Sequence, residues 1–197
     1  MSAVPSRLDQ VLNRMDYGRA LRAELLMNGN TSVQVPYAQP LIDAIELFDE
    51  LKIKYALIGG IAALYYGQPR FTEDVDFVAM TGHGDVLAVN PDAMHRHHFD
   101  PTCSHKLYHQ SGVNVDLWKD EFSDDIVRRA VDVVLAGHQC KMIERHDLIA
   151  MKLRAQRVKD DSDIVEVVKN GSIDESRLRT LVTPEQFAHF ESIKHRT

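Results

Sequence analysis

The 197-residue sequence holds only two cysteines, Cys103 and Cys140. They give no disulfide framework and no Cys-x-x-Cys metal pattern. No apolar run approaches the roughly 20 residues needed to cross a bilayer, so no membrane-spanning helix is expected. The stretch Met1 to Arg7 lacks the basic-then-apolar order of a secretory leader, and a reducing cytoplasm is the expected compartment. Basic residues are not in excess. A net charge of −6 argues against a protein that coats nucleic acid non-specifically, although a small basic patch could still dock it. Internal repeats and low-complexity segments are absent. What remains is ordinary for a globular protein: 44% hydrophobic and 26% charged residues, with length enough for one compact domain and a substantial core.

Six of the ten histidines fall between His83 and His109, with Asp85, Asp92 and Cys103 among them. A zinc site is one reading of this cluster. However, His95-Arg96-His97-His98 lacks the His-Glu-x-x-His order and has no paired cysteines beside it, so a solvated histidine-rich loop or helix end is expected.

Hydrophobic periodicity predicts a helix over Arg7 to Met27, ended by Asn28-Gly29-Asn30, and another from about Pro40 to Leu51. Strands are expected at Lys54–Ile58 and Asp74–Ala79, and the stretch from Thr81 to Ser104 carries no clear pattern. Lys106–His109 and Val113–Trp118 read as a hairpin through Ser111-Gly112, and Val131–Ala136 and Gln139–Ile143 as a second strand pair. The C-terminal part reads as helices: Asp147 to about Val158, one capped by Asp160 or Asp161 and stopping at Asn170-Gly171, and one opened by Thr183-Pro184-Glu185-Gln186. The expected class is α/β of the α+β kind, a small mixed sheet flanked by helices. Residues 1–36 would form a helical arm, 37–143 the core, and 144–197 a helical region completing the site.

The most informative stretch is Leu57-Ile58-Gly59-Gly60, followed by Arg70-Phe71-Thr72-Glu73-Asp74-Val75-Asp76-Phe77-Val78. Alternation along a strand points Asp74 and Asp76 the same way, about 6.6–6.8 Å apart. Two carboxylates on one face of an apolar strand repel unless a cation lies between them, and Mg²⁺ prefers oxygen ligands. Glycines without Cβ atoms let backbone approach a phosphate, and a helix starting there adds its N-terminal amides and dipole. Val113-Asn114-Val115-Asp116-Leu117-Trp118 supplies a third carboxylate among apolar neighbours, where an unpaired acid needs a reason. The alternative for Asp116 is an edge strand facing water. For Gly59-Gly60 and the Asp pair taken singly, the alternatives are an ordinary turn and a solvated face.

This combination resembles the polymerase-β-like nucleotidyltransferase superfamily, whose signature is hydrophobic-Gly-Gly/Ser, a spacer, then Asp-hydrophobic-Asp-hydrophobic. The run Lys152-Leu153-Arg154-Ala155-Gln156-Arg157-Val158-Lys159-Asp160-Asp161-Ser162-Asp163 is similar to a segment of the AbiEii/AbiGii-type toxin nucleotidyltransferases. The resemblance covers about Lys54 to Lys169 and implies transfer of a nucleoside monophosphate from an NTP to a hydroxyl, with pyrophosphate released. It implies that Asp74 and Asp76 bind Mg²⁺ (Mn²⁺ as the alternative ion), that Asp116 helps activate the acceptor, and that Lys152 touches phosphates. Gly59, Gly60, Arg70, Thr72, Arg157, Asp160 and Asp163 would form or brace the nucleotide pocket. For Asp160 and Asp163 the plain alternative is stabilisation of a helix start; for Arg70 and Thr72 it is a surface turn. The implied acceptor is RNA, tRNA above all, or a protein, with a cognate antitoxin as partner. Two alternatives stay open: an aminoglycoside or lincosamide nucleotidyltransferase, and a non-catalytic nucleotide-binding module. The preferred NTP and the oligomeric state are not legible.

Overall fold

A computed structural model describes residues 38–67, 72, 74–82, 84–101 and 106–196. The predicted helix over Arg7–Met27, the arm of residues 1–36, Arg70 and Cys103 lie outside the described residues.

Helix α1 (Ala38–Glu50) buries Leu41, Ala44, Ile45 and Phe48, the 3–4 spacing of a helix with one apolar stripe. It closes on Lys52, whose φ of 55° is left-handed, while the Ile53 amide donates to the Phe48 carbonyl at 2.8 Å. That closure turns the chain into β1 (Tyr55–Leu57), which leads through Ile58 into α2 (Gly59–Tyr66). Strand β2 (Val75–Ala79) follows, then α3 (Gly84–Ala88), α4 (Pro91–Arg96) and β3 (Phe99–Asp100). The expected hairpin is present as β4 (Lys106–His109) and β5 (Asn114–Trp118). After α5 (Ser123–Arg129), the second hairpin pairs β6 (Val131–Leu135) with β7 (His138–Met142). Four helices finish the chain: α6 (Arg145–Ala155), α7 (Val158–Lys169), α8 (Glu175–Arg179) and α9 (Pro184–Ile193).

The strands form one mixed sheet in the order β3-β4-β5-β2-β1-β7-β6. Strand β2 sits centrally, antiparallel to β1 and parallel to β5. Phe48, Tyr55 and Phe77 pack edge-to-face or tilted against one another with ring centroids 5.1–5.4 Å apart, tying α1 to β1 and β2. Losing one such ring would cost about 3–5 kcal/mol.

Three local expectations need correction. Asp74 precedes β2 rather than opening it, though it keeps the alternation of the strand. Helix α6 ends at Ala155 instead of near Val158, because Gln156 adopts a left-handed φ of 51°. The cap of α7 is therefore Arg157, and Asp160 reaches back from the first turn to accept the Arg157 amide at 3.1 Å. The Thr183/Gln186 capping box is as expected, with bonds of 3.3 and 3.0 Å. The histidine-rich stretch is not uniformly solvated. His97 pairs with Glu50 at 2.8 Å, while His109 is buried on β4, its Nε2 2.8 Å from Asp43.

Candidate active site

Strands β2 and β5 run parallel in a register that places Asp76 directly beside Asp116. One strand further out, Lys106 stands opposite Asp116, its ammonium 3.5 Å from the carboxylate. Asp74, two residues before Asp76, is exposed, and Thr72 donates to its carbonyl at 3.4 Å. Asp76 and Asp116 therefore stand side by side on two neighbouring strands, and Asp74, just ahead of β2, lines the same cleft.

Asp76 is the most constrained of them. Its carboxylate lies directly over Gly59, so close that a Cβ at that position would come within 2.0 Å of Oδ2. Gly59 also holds a left-handed φ of 64°, which side chains rarely tolerate. Both properties require glycine here: one for the turn into α2, the other for the acid above it. The Trp118 indole N–H donates to Asp76 Oδ1 at 3.1 Å, and the Gly60 amide also donates to this carboxylate. Burial pushes the Asp76 pKa above the usual carboxylate value, and the charges of Asp74 and Asp116 push it the same way. The two hydrogen bonds oppose this rise without cancelling it.

A cleft of about 300 Å³ gathers Gly59, Gly60, Thr72, Asp74, Asp76, Asp116, Lys152 and Arg157. Eight of the eleven residues named from the sequence thus meet in one place. Asp160 and Asp163 stand behind the wall. There the Lys152 ammonium is 2.5 Å from Asp163 and 3.3 Å from Asp160, all three groups buried. The Arg157 guanidinium grips Asp160 from outside at 2.8 Å while its side chain stays 56% exposed. Burial works against the Asp160 charge, yet the Arg157 hydrogen bond and the Lys152 charge hold its pKa below the usual value. These ions clamp the end of α6 to the start of α7 and fix the cleft wall.

Trp118 and Lys159 also line the cleft, and Lys106 reaches it through Asp116, although no part in it was expected of any of the three from the sequence. Trp118 was within reach, because it follows Asp116 by two positions on the same strand face. Lys106 required the hairpin register: counted back from Ser111-Gly112, it falls opposite Asp116.

The donor set around Asp74, Asp76 and Asp116 is all carboxylate oxygen, the chemistry a hard divalent cation takes. Among the described residues, no three acidic, histidine or cysteine side chains converge on one point as they stand. The reason is visible in the bonds: Asp76 is turned to Trp118 and Asp116 to Lys106.

No family model matches the sequence, and no curated protein does. Solved structures do resemble it. An antigenic nucleotidyltransferase-like protein from Paracoccidioides brasiliensis aligns with a TM-score of 0.57 at 18% identity, over 79% of this chain and 85% of that one. The antibiotic-resistance factor ANT(2'')-Ia aligns with a TM-score of 0.50 at 14% identity, over 78% of this chain and 91% of that one. The chain has a nucleotidyltransferase fold. Among the described residues, no helix is long and apolar enough to cross a membrane.

Proposed function

We propose that the protein is a Mg²⁺-dependent nucleotidyltransferase that moves a nucleoside monophosphate from an NTP to a hydroxyl of RNA or protein. The observation that carries this reading is the register pairing of Asp76 with Asp116, with Asp74 lining the same cleft and Gly59-Gly60 immediately below. Asp74 and Asp76 would hold the ion that binds the triphosphate, and Asp116 the ion or proton at the acceptor hydroxyl. When bound, divalent ions neutralise phosphate charge and stabilise the entering and leaving oxygens. The start of α2, whose Gly60 amide is held by Asp76, would bring its N-terminal dipole to the phosphates. Arg157, which also grips Asp160, and Lys159 are the exposed cations at the cleft and would meet phosphate charge as it builds up. Lys152 lines the same cleft but is shared by Asp160 and Asp163, so its first role is to hold the wall in place.

The similarity of the Lys152–Asp163 segment to AbiEii/AbiGii-type toxins supports RNA, tRNA above all, or a protein as acceptor, with a cognate antitoxin as partner. A second reading, transfer to an aminoglycoside or lincosamide hydroxyl, has the fold likeness to ANT(2'')-Ia on its side. One assay separates them: α-labelled NTPs and Mg²⁺ mixed with total tRNA, protein extract, or drug. Label in tRNA or protein is the expected result, and label in the drug alone supports the second reading. No label in any acceptor, with Mg²⁺-NTP still bound, would leave a non-catalytic binding module.

A further inference from the structure

The hairpin of β4 and β5 brings two side chains onto the acids. Trp118 follows Asp116 by two positions, and its indole N–H donates to Asp76 Oδ1 at 3.1 Å. Lys106 stands opposite Asp116 in the register, its ammonium 3.5 Å from Asp116 Oδ1. Each group therefore occupies one oxygen of one acid. Both are lightly held: Trp118 is 56% exposed and the Lys106 side chain 39%. Lys152, by contrast, is buried between Asp160 and Asp163 and belongs to the wall.

We infer that Trp118 and Lys106 are positioning residues for the metal: they hold Asp76 and Asp116 in the arrangement described, and a divalent ion binds by displacing them. The inference rests on the nucleotidyl-transfer reading and adds the residues of this chain that set the strength of ion binding. Asp76 and Asp116 are register neighbours, so their charges repel. An N–H dipole on one and an ammonium on the other offset that repulsion separately, acid by acid. A divalent ion offsets it at both acids together, and Mg²⁺ takes its oxygen ligands at about 2.0–2.1 Å. An ion at that distance from either Oδ1 meets the ammonium, or the positive end of the indole N–H, as a like charge. Ion binding is therefore an exchange, in which two contacts to exposed side chains give way to shared coordination. A side chain that merely supported Asp76 would have the opposite effect, because its loss would loosen the acid and weaken ion binding.

The test is calorimetric titration of Mg²⁺ alone at about pH 8, where carboxylates are ionised. It compares the intact chain with Trp118→Phe, Lys106→Met and Lys159→Met, each first checked by thermal melting. Trp118→Phe keeps a ring and changes no charge, and it should bind Mg²⁺ roughly three- to tenfold more tightly than the intact chain. Lys106→Met and Lys159→Met each remove one positive charge at the site, but Lys106 is the one paired with Asp116. Its loss should therefore tighten binding roughly threefold more than loss of Lys159 does. Trp118 is the only tryptophan in the chain, so in the intact protein its emission should shift along the same saturation curve. Equal or weaker Mg²⁺ binding by Trp118→Phe, or ion binding that leaves Trp118 emission unmoved, overturns the role of Trp118. Equal binding by the two lysine variants overturns that of Lys106. Nucleotidyl transfer stands in both cases if the intact chain still binds NTP only with Mg²⁺. NTP binding that ignores Mg²⁺ overturns that reading, and this inference with it.

Discussion

Gly59→Ala perturbs the turn and the acid above it in a single step, and its cost can be worked from the structure. The new Cβ would lie 2.0 Å from Asp76 Oδ2, 2.7 Å from Cγ and 2.8 Å from Cβ. Rotating the carboxylate relieves the first two contacts, but the Asp76 Cβ is fixed to its strand, so backbone must shift as well. A left-handed φ on a residue with a side chain costs about 1–2 kcal/mol, and forced overpacking about 1–3 kcal/mol. Together these come to about 2–5 kcal/mol, or roughly 5–15 °C in Tm for a chain of this size. Gly112→Ala is the control. Its φ is 87°, but nothing lies within 4 Å of a Cβ there, so it bears only the backbone strain. Thermal melting of both variants isolates the collision, and nucleotide binding should be lost only in Gly59→Ala, where Asp76 is displaced. Equal melting temperatures for the two would refute the close approach of Asp76 to Gly59.

Lys152→Met should lower stability by about 3–5 kcal/mol in denaturant titration, because it leaves Asp160 and Asp163 buried with less compensating charge. Lys159→Ala, at the exposed start of α7, should stay within about 0.5 kcal/mol. Asp76→Asn should raise Tm at neutral pH without metal. The folded Asp76 pKa is raised, so as pH climbs the unfolded chain releases this proton first and stability falls until the folded pKa is passed. The advantage of the Asn variant should accordingly vanish towards pH ~3, below the ordinary Asp pKa, in melts run across pH. Asp43→Ala should cost about 1–3 kcal/mol by thermal melting, because it leaves the buried His109 ring and the Gln39 amide without their acceptor.

The site was legible where chemistry follows local period. Asp74 and Asp76 share a face by alternation alone, and the Gly pair ahead of them marks a turn into a helix. Asp116 stood out because an acid inside Val-x-Val-Asp-Leu is costly unless used; its place beside Asp76 is a matter of strand pairing. What local pattern could not give is the pairing of Lys152 with Asp160 and Asp163. Those contacts cross the break at Gln156, and nothing in the residues forces a left-handed turn there. The short pieces escaped for related reasons. Strand β3 has two residues, and α5 carries Asp124, Asp125, Arg128 and Arg129, whose i,i+3 and i,i+4 ion pairs leave little apolar period to see. The burial of His109 depends on Asp43, 66 positions away, so its local sequence reads as solvated.

The central claim is that the Asp74–Asp76–Asp116 face holds a metal-bound NTP. Calorimetric titration of NTP with and without Mg²⁺, on the intact chain and on Asp76→Asn, tests it most directly. Saturable binding that needs Mg²⁺ in the intact chain and disappears in Asp76→Asn, with that variant melting at an equal or higher temperature, is the predicted result. Equal binding by the two proteins, or binding indifferent to Mg²⁺, would contradict it.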